Sequence, residues 1–193
     1  MNRWIAVMLG LWISCSAAQP LELKGLQISV STSAELLAKF PAVEIYGGYA
    51  TVRADAHIAN KCGGQGWGPC FSAAMDDLRV AGGTPGNYTV RLLDSVIESI
   101  EVTFNNGGYD VAAGALKEKY GTPSTVDNAP SQNRMGATFS NERLTWAMPN
   151  GSITITKRGS KIDESRLTMM STKYLAHVQD VEAAKIKDGA KKL

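Results

Sequence analysis

The sequence predicts an α+β protein: a mainly antiparallel sheet with short helices packed on it and a helix at its C-terminal end. Three observations point there. Short runs that alternate apolar with polar residues recur at 88–93, 96–104, 144–148 and 152–157, separated by turn signals. Two other segments, 32–40 and 109–120, instead repeat apolar residues every three or four positions between caps and stop signals. From Tyr174 onward, Leu175, Val178, Val181 and Ile186 fall at helical spacing.

Taken in order, residues 21–30 alternate as a half-buried strand or extended arm would, with Leu21, Leu23, Leu26, Ile28 and Val30 as the apolar set. Thr32 followed by Glu35 has capping-box spacing, Leu36, Leu37 and Phe40 form an apolar stripe, and Pro41 stops the helix. Residues 49–59 alternate again, with Arg53, Asp55 and His57 on one side of an expected strand. Residues 71–80 suit either a strand or a short helix, and 81–87 is a turn region. The strands 88–93 and 96–104 join through Asp94-Ser95. A helix from Asp110 ends at Gly121 and Pro123. Residues 124–142 read as a long polar loop, 144–148 and 152–157 as a hairpin around Asn150-Gly151, and 166–171 as a further strand.

Residues 1–18 carry Arg3, an apolar run over 4–13 and small residues ending in Ala17-Ala18, the pattern of a secretory signal peptide; the run is short for a membrane span of about 20 residues. A lipoprotein signal ending at Cys15 is the minor alternative. The expected destination is the bacterial periplasm or the exterior. The remaining chain, 19–193, is expected to be one α+β domain without an integral membrane segment. Cleavage would leave 19 basic against 18 acidic residues. No clustered basic face suggests nucleic acid, and the lysines at 185, 187, 191 and 192 are nearly cancelled by Asp180, Glu182 and Asp188.

Two cysteines would survive export, Cys62 and Cys70, around the loop Gly63-Gly64-Gln65-Gly66-Trp67-Gly68-Pro69. In an oxidising compartment they are expected to form a disulfide. Zinc is disfavoured because only His57 and His177 could join them, without ligand-pair spacing, and the loop lacks the lysine and Ser/Thr of a phosphate loop. No cofactor or metal is expected.

The segments GLQISVSTSAELLAKFP and SIEVTFNNGGYDVAAGALKEKYGTP each run strand, polar break, amphipathic helix and proline, consistent with two halves of similar plan, 21–95 and 96–172, before the C-terminal helix 174–190. Together with the tryptophan-bearing strand LTWAMPNGSITI they resemble small exported proteobacterial proteins of unknown function. Their architecture is similar to that of β-lactamase-inhibitor-like and outer-membrane-assembly-lipoprotein-like α+β domains. What this resemblance implies is protein binding with no chemistry performed; the leader, the cysteine loop and the lack of a catalytic set lead to the expectation of an inhibitor, immunity or envelope-assembly factor that binds another envelope or secreted protein.

Trp67 is the leading candidate for a binding residue, because a large aromatic on a loop closed at both ends loses little side-chain entropy when a partner covers it. It could equally fold back as a lid on the core. Phe71 and Tyr49 are lesser candidates. The rival class is a cell-wall-directed hydrolase in which Asp55 orients His57 as a base, although no nucleophile motif accompanies them. A third class is a binder that holds a small apolar molecule on the inner face of the sheet. Trp146, within an alternating strand, is expected in the core.

Overall fold

The computed structural model describes residues 19–63 and 68–190, and these have the α+β architecture that the sequence predicts. The leader at 1–18 and Trp67 lie outside the described residues.

The run 21–30 is not one strand. It makes a small hairpin, β1 (Glu22–Leu23) and β2 (Leu26–Gln27), turned by Lys24 and Gly25 at φ of 56° and 73°. Leu21, Leu26 and Ile28 are buried while Val30 faces solvent. Alternation alone cannot separate a strand from a hairpin that folds back in register. The helix α1 (Ser33–Lys39) follows with its capping box complete: Glu35 N–H donates to Thr32 Oγ1, and Thr32 N–H donates to Glu35 Oε2 at 2.7 Å. It buries Leu36, and Phe40 at its end, and leaves Leu37 partly exposed.

Two short strands, β3 (Ile45–Tyr46) and β4 (Tyr49–Val52), precede a helical pair, α2 (Ala54–Cys62) and α3 (Pro69–Leu78). The strand expected over 49–59 therefore ends at Val52, and the ambiguous stretch after the cysteines is helical. Ala54, Ala56 and Ala59 are strong helix formers, Asp55 suits the first turn, and Gly63 closes α2 in the left-handed conformation; Pro69 opens α3 at its first turn. The long hairpin β5 (Gly86–Leu93) and β6 (Val96–Asn105) follows, turned by Asp94 and Ser95, both at positive φ. Then comes α4 (Tyr109–Tyr120), ended by Gly121. The expected loop 124–142 contributes an edge strand, β7 (Thr125–Asp127), and a two-residue hairpin, β8 (Ser131–Gln132) with β9 (Thr138–Phe139). The chain finishes with β10 (Arg143–Met148), β11 (Gly151–Thr156), β12 (Glu164–Ser171) and α5 (Thr172–Ala190).

Eight strands form one antiparallel sheet in the order β3-β4-β5-β6-β12-β11-β10-β7. Its two faces differ in chemistry because side chains alternate along each strand. On one face Val52, Tyr88, Val102, Leu167, Ile155 and Leu144 stand in register, buried with Leu36, Phe40, Ala74, Leu78, Tyr109, Ala112 and Leu116 from the helices. Each large apolar side chain so buried contributes about 1.5–3 kcal/mol relative to exposure. On the other face the same strands line up Thr51, Thr89, Glu101, Thr168, Thr154 and Thr145. The boundary drawn at 95/96 falls inside the β5–β6 hairpin.

Polar groups that enter the core find partners. Trp146 is buried as the alternation predicts, and its Nε1 donates to Gly121 O at 2.9 Å; Tyr88 Oη donates to Leu78 O at 3.0 Å, and Tyr109 Oη to Glu142 Oε2 at 2.7 Å. Burial pushes both tyrosine hydroxyls well above their ordinary range. Beyond its first residues α5 is exposed; Lys173 Nζ ties its start to Asp94 Oδ2 at 3.2 Å and to buried Glu98 Oε1 at 3.5 Å. None of the described helices is long and apolar enough to cross a membrane.

Gly151 sits at φ 156°, where a Cβ would press into the Met170 carbonyl oxygen and the Leu21 side chain. Gly151→Ala is expected to cost about 2 kcal/mol or more by overpacking and backbone strain, measured by urea unfolding. Retention of wild-type stability would show that this corner is loosely packed.

Candidate binding surfaces

The cysteine loop belongs to the junction of α2 and α3. Cys62 closes α2, Cys70 lies in the first turn of α3, and their sulfurs are at disulfide bonding distance with Cα atoms 5.8 Å apart. His57 and Lys61, one helical turn apart on α2, both meet Asp77 of α3: His57 Nε2 is 3.0 Å and Lys61 Nζ 2.6 Å from Asp77 Oδ2. An ionised carboxylate can only accept, so the imidazole donates through Nε2. The ring also meets Phe40 edge-on, centroids 5.4 Å apart. Burial opposes the charge on Asp77, yet the hydrogen bonds from Lys61 and His57 outweigh it and hold that carboxyl below its usual range.

This geometry corrects the expected pairing of His57 with Asp55. The two do not share a strand face: both lie on α2, the His57 side chain is only 7% exposed, and Asp55 is turned to solvent in an ion pair with Arg53 at 2.7 Å. Helical spacing carries His57 away from its neighbour two positions back and toward a carboxylate twenty residues on. The imidazole donates to Asp77, and Lys61 binds the same oxygen; the trio ties two helices together and presents no activated nucleophile. Among the described residues, no group of three or more His, Cys, Asp and Glu side chains could hold a metal ion.

The aromatic candidates do not gather in one place. Trp67 lies outside the described residues. Phe71 is on α3, half-buried. Tyr49 is on β4 and 47% exposed, and directly across the hairpin stands Tyr46, 88% exposed. Tyr46 was not among the sequence candidates, although Tyr-Gly-Gly-Tyr is a signal: two glycines are the composition of a tight hairpin, which sets its flanking residues opposite each other on one face. Gly47 and Gly48 have φ of 56° and 76°, and Gly48 O accepts from Leu92 N–H at 2.7 Å. A Cβ on Gly48 would stand 2.8 Å from Leu92 O, so the turn is held against the neighbouring strand. The Arg91 guanidinium lies over the Tyr49 ring, 5.9 Å from its centroid.

Tyr49 thereby stands at a corner of the threonine-lined sheet face. Glu101 lies in that face between Arg91 and Arg166, each 3.8 Å away. The rows Tyr49-Arg91-Ser99-Met170-Ser152 and Thr51-Thr89-Glu101-Thr168-Thr154 run across it, and Ser99, in the first row, is fully buried. On the opposite, helical side, Lys24 lines two hollows. One of about 510 Å3 includes Lys39, Phe40, Lys61, Asp76 and Asp77; the other, of about 280 Å3, lies between β1 and α4.

Replacing Cys62 and Cys70 together by serine is expected to cost about 2–3 kcal/mol from loop-closure entropy, read by urea unfolding, and the chain without residues 1–18, which carry Cys15, is expected to show no thiol reactive with Ellman's reagent once unfolded without reductant. Asp77 is stabilising as its anion above the unfolded value of 3.8. That contribution is lost as pH falls through the lower folded value, so the melting-temperature gap between wild type and Asp77→Asn is expected to narrow on acidification below about pH 4. Comparison with family models, with curated proteins and with solved structures finds no match to this chain.

Proposed function

We propose that this is an exported envelope protein that works by binding another envelope or secreted protein, as an inhibitor, immunity or assembly factor does. The observation that supports it most is the pair Tyr46 and Tyr49, projecting side by side from a glycine turn locked to β5 at the corner of the threonine-lined sheet face. Rigid aromatics lose little side-chain entropy when a partner covers them, and tyrosine combines a large apolar ring with a hydrogen-bonding tip. The threonines beside them are short, and Glu101 stands between Arg91 and Arg166, which leaves one positive charge in excess among the three. Such a face can be desolvated at modest cost compared with one of unpaired charges. Export is supported by the leader pattern at 1–18 and by the paired cysteines. Phe71 belongs to the helical pair and would extend the contact only for a partner that wraps around the sheet edge.

The test is affinity capture from periplasmic extract with the oxidised protein as bait, followed by titration of the captured partner against Tyr46→Ala and Tyr49→Ala. Each substitution is expected to weaken binding about tenfold or more while the melting temperature moves by no more than about 2 °C. Undiminished affinity in the double variant would refute the placement of the interface at this corner.

A further inference from the structure

The β8–β9 hairpin and the connection from β11 to β12 face each other across a hollow of about 360 Å3. Ser131, Gln132, Asn133 and Arg134 form one wall, and residues 158–162 form the other. Asn141 buttons the walls together. Its Nδ2 donates to Ser131 Oγ at 2.9 Å and to Arg158 O at 3.3 Å, and its Oδ1 accepts from Arg158 N–H at 2.8 Å. The turn that carries Arg134 is fixed in the same manner: Asn133 Oδ1 accepts from the N–H groups of Met135 and Ala137, and Gln132 Nε2 donates to Gly136 O at 2.9 Å. The hollow is therefore shaped before any ligand arrives, which lowers the ordering cost of binding.

The lining carries one sign of charge. Arg134, Arg158 and Lys161 belong to it, and no Asp or Glu does. Arg158 is held in position: Nε donates to Ser140 O at 2.9 Å, Nη1 donates to Ile162 O, and the guanidinium lies over the Phe139 ring, 5.0 Å from its centroid. Those bonds occupy two of the five N–H donors of a guanidinium, and because both acceptors are carbonyls its charge stays uncompensated. Among the described residues, neither Arg134 nor Arg158 has a carboxylate at ion-pair distance. Lys161 differs, since its Nζ is 3.8 Å from Glu164 Oε2, and Ser160 Oγ donates to Glu164 Oε1 at 2.8 Å; Glu164 lines the neighbouring hollow with Asp163. Ser131 Oγ accepts from Asn141, which leaves its hydroxyl proton to donate. A planar carboxylate is satisfied by one arginine fork. Two forks and a hydroxyl suit the several oxygens of a tetrahedral anion.

We propose that this hollow binds a small, polar phosphate monoester, a sugar phosphate, with Arg134 and Arg158 on the phosphoryl oxygens and the amides of Gln132 and Asn133 beside the sugar hydroxyls. A volume at the small end of the usual ligand-site range leaves room for the organic group that carries the phosphate. The site lies at the β7–β10 margin, the opposite end of the strand order from Tyr46 on β3, and it does not depend on the protein-binding role.

Calorimetric titration of the purified, oxidised protein with glucose 6-phosphate, inorganic phosphate, acetate and glucose, in a phosphate-free buffer of low ionic strength, tests it. Glucose 6-phosphate is expected to bind saturably, more tightly than inorganic phosphate and about tenfold or more tighter than acetate, and glucose is expected to give no binding heat. Arg134→Met and Arg158→Met are each expected to weaken glucose 6-phosphate about tenfold or more. Arg158→Met also removes the ties to Ser140 and Ile162; should that variant fail to fold, Arg134→Met, at an exposed turn, decides. Arg53→Met removes the same charge from the start of α2 and is expected to leave the affinity unchanged, as is Tyr46→Ala/Tyr49→Ala, so that the two sites fail or stand separately. Absence of saturable glucose 6-phosphate binding, acetate or inorganic phosphate binding as tightly, an Arg134→Met protein that binds like wild type, or an equal loss in Arg53→Met would each overturn the proposal.

Discussion

The pairing of β6 with β12 is the contact on which the rest of the molecule depends. Seven residues of β12, Glu164 to Met170, stand opposite Asn105 to Ser99, and this seam joins what would otherwise be two four-stranded pieces. To one side lie β5 and β4, to the other β11 and β10, so the order of the six central strands mirrors itself about the seam. A helix leads into each trio: α1 before β4-β5-β6, α4 before β10-β11-β12. Either half alone buries little apolar surface. Joined at β6 and β12, the two share a single apolar layer running from Val52 to Leu144, and neither could keep that layer dry without the other.

The helical pair α2 and α3 is an insertion into this plan, placed between β4 and β5 where the corresponding strands β10 and β11 are joined by a tight turn. It packs on the core through Ala54, Ala74, Leu78 and the His57 ring against Phe40, and polar and covalent ties add to that small contact. That explains its composition. A short helical hairpin with few buried side chains gains little from hydrophobic burial, and the cysteine bridge with the His57-Asp77-Lys61 cluster supplies the ordering that packing does not.

Elements governed by local rules could be read from the sequence. The Thr32-Glu35 box, the Asn150-Gly151 turn, the Gly121 stop and the burial of Trp146 each follow from a few neighbouring residues. Where two local patterns coincide the sequence is ambiguous. Alanines alternating with Arg53, Asp55 and His57 satisfy a strand period and a helix propensity at once, and only the packing of α2 against Phe40 and α3 decides between them. β7 was invisible because its three residues are all exposed and it exists by pairing with β10. The candidate sites show the same division. Tyr46 was locally signalled by its glycine turn. Asp77 as the partner of His57 arises from a segment 20 positions away and has no local signature.

The outermost strands, β3 with two residues and β7 with three, are the shortest of the main sheet. A long, flat margin would offer unpaired amides and carbonyls to a second molecule and invite stacking into filaments, a hazard for any chain held at high concentration in a crowded compartment. Clipped margins leave no such template. Self-association by strand addition is thereby discouraged at both ends.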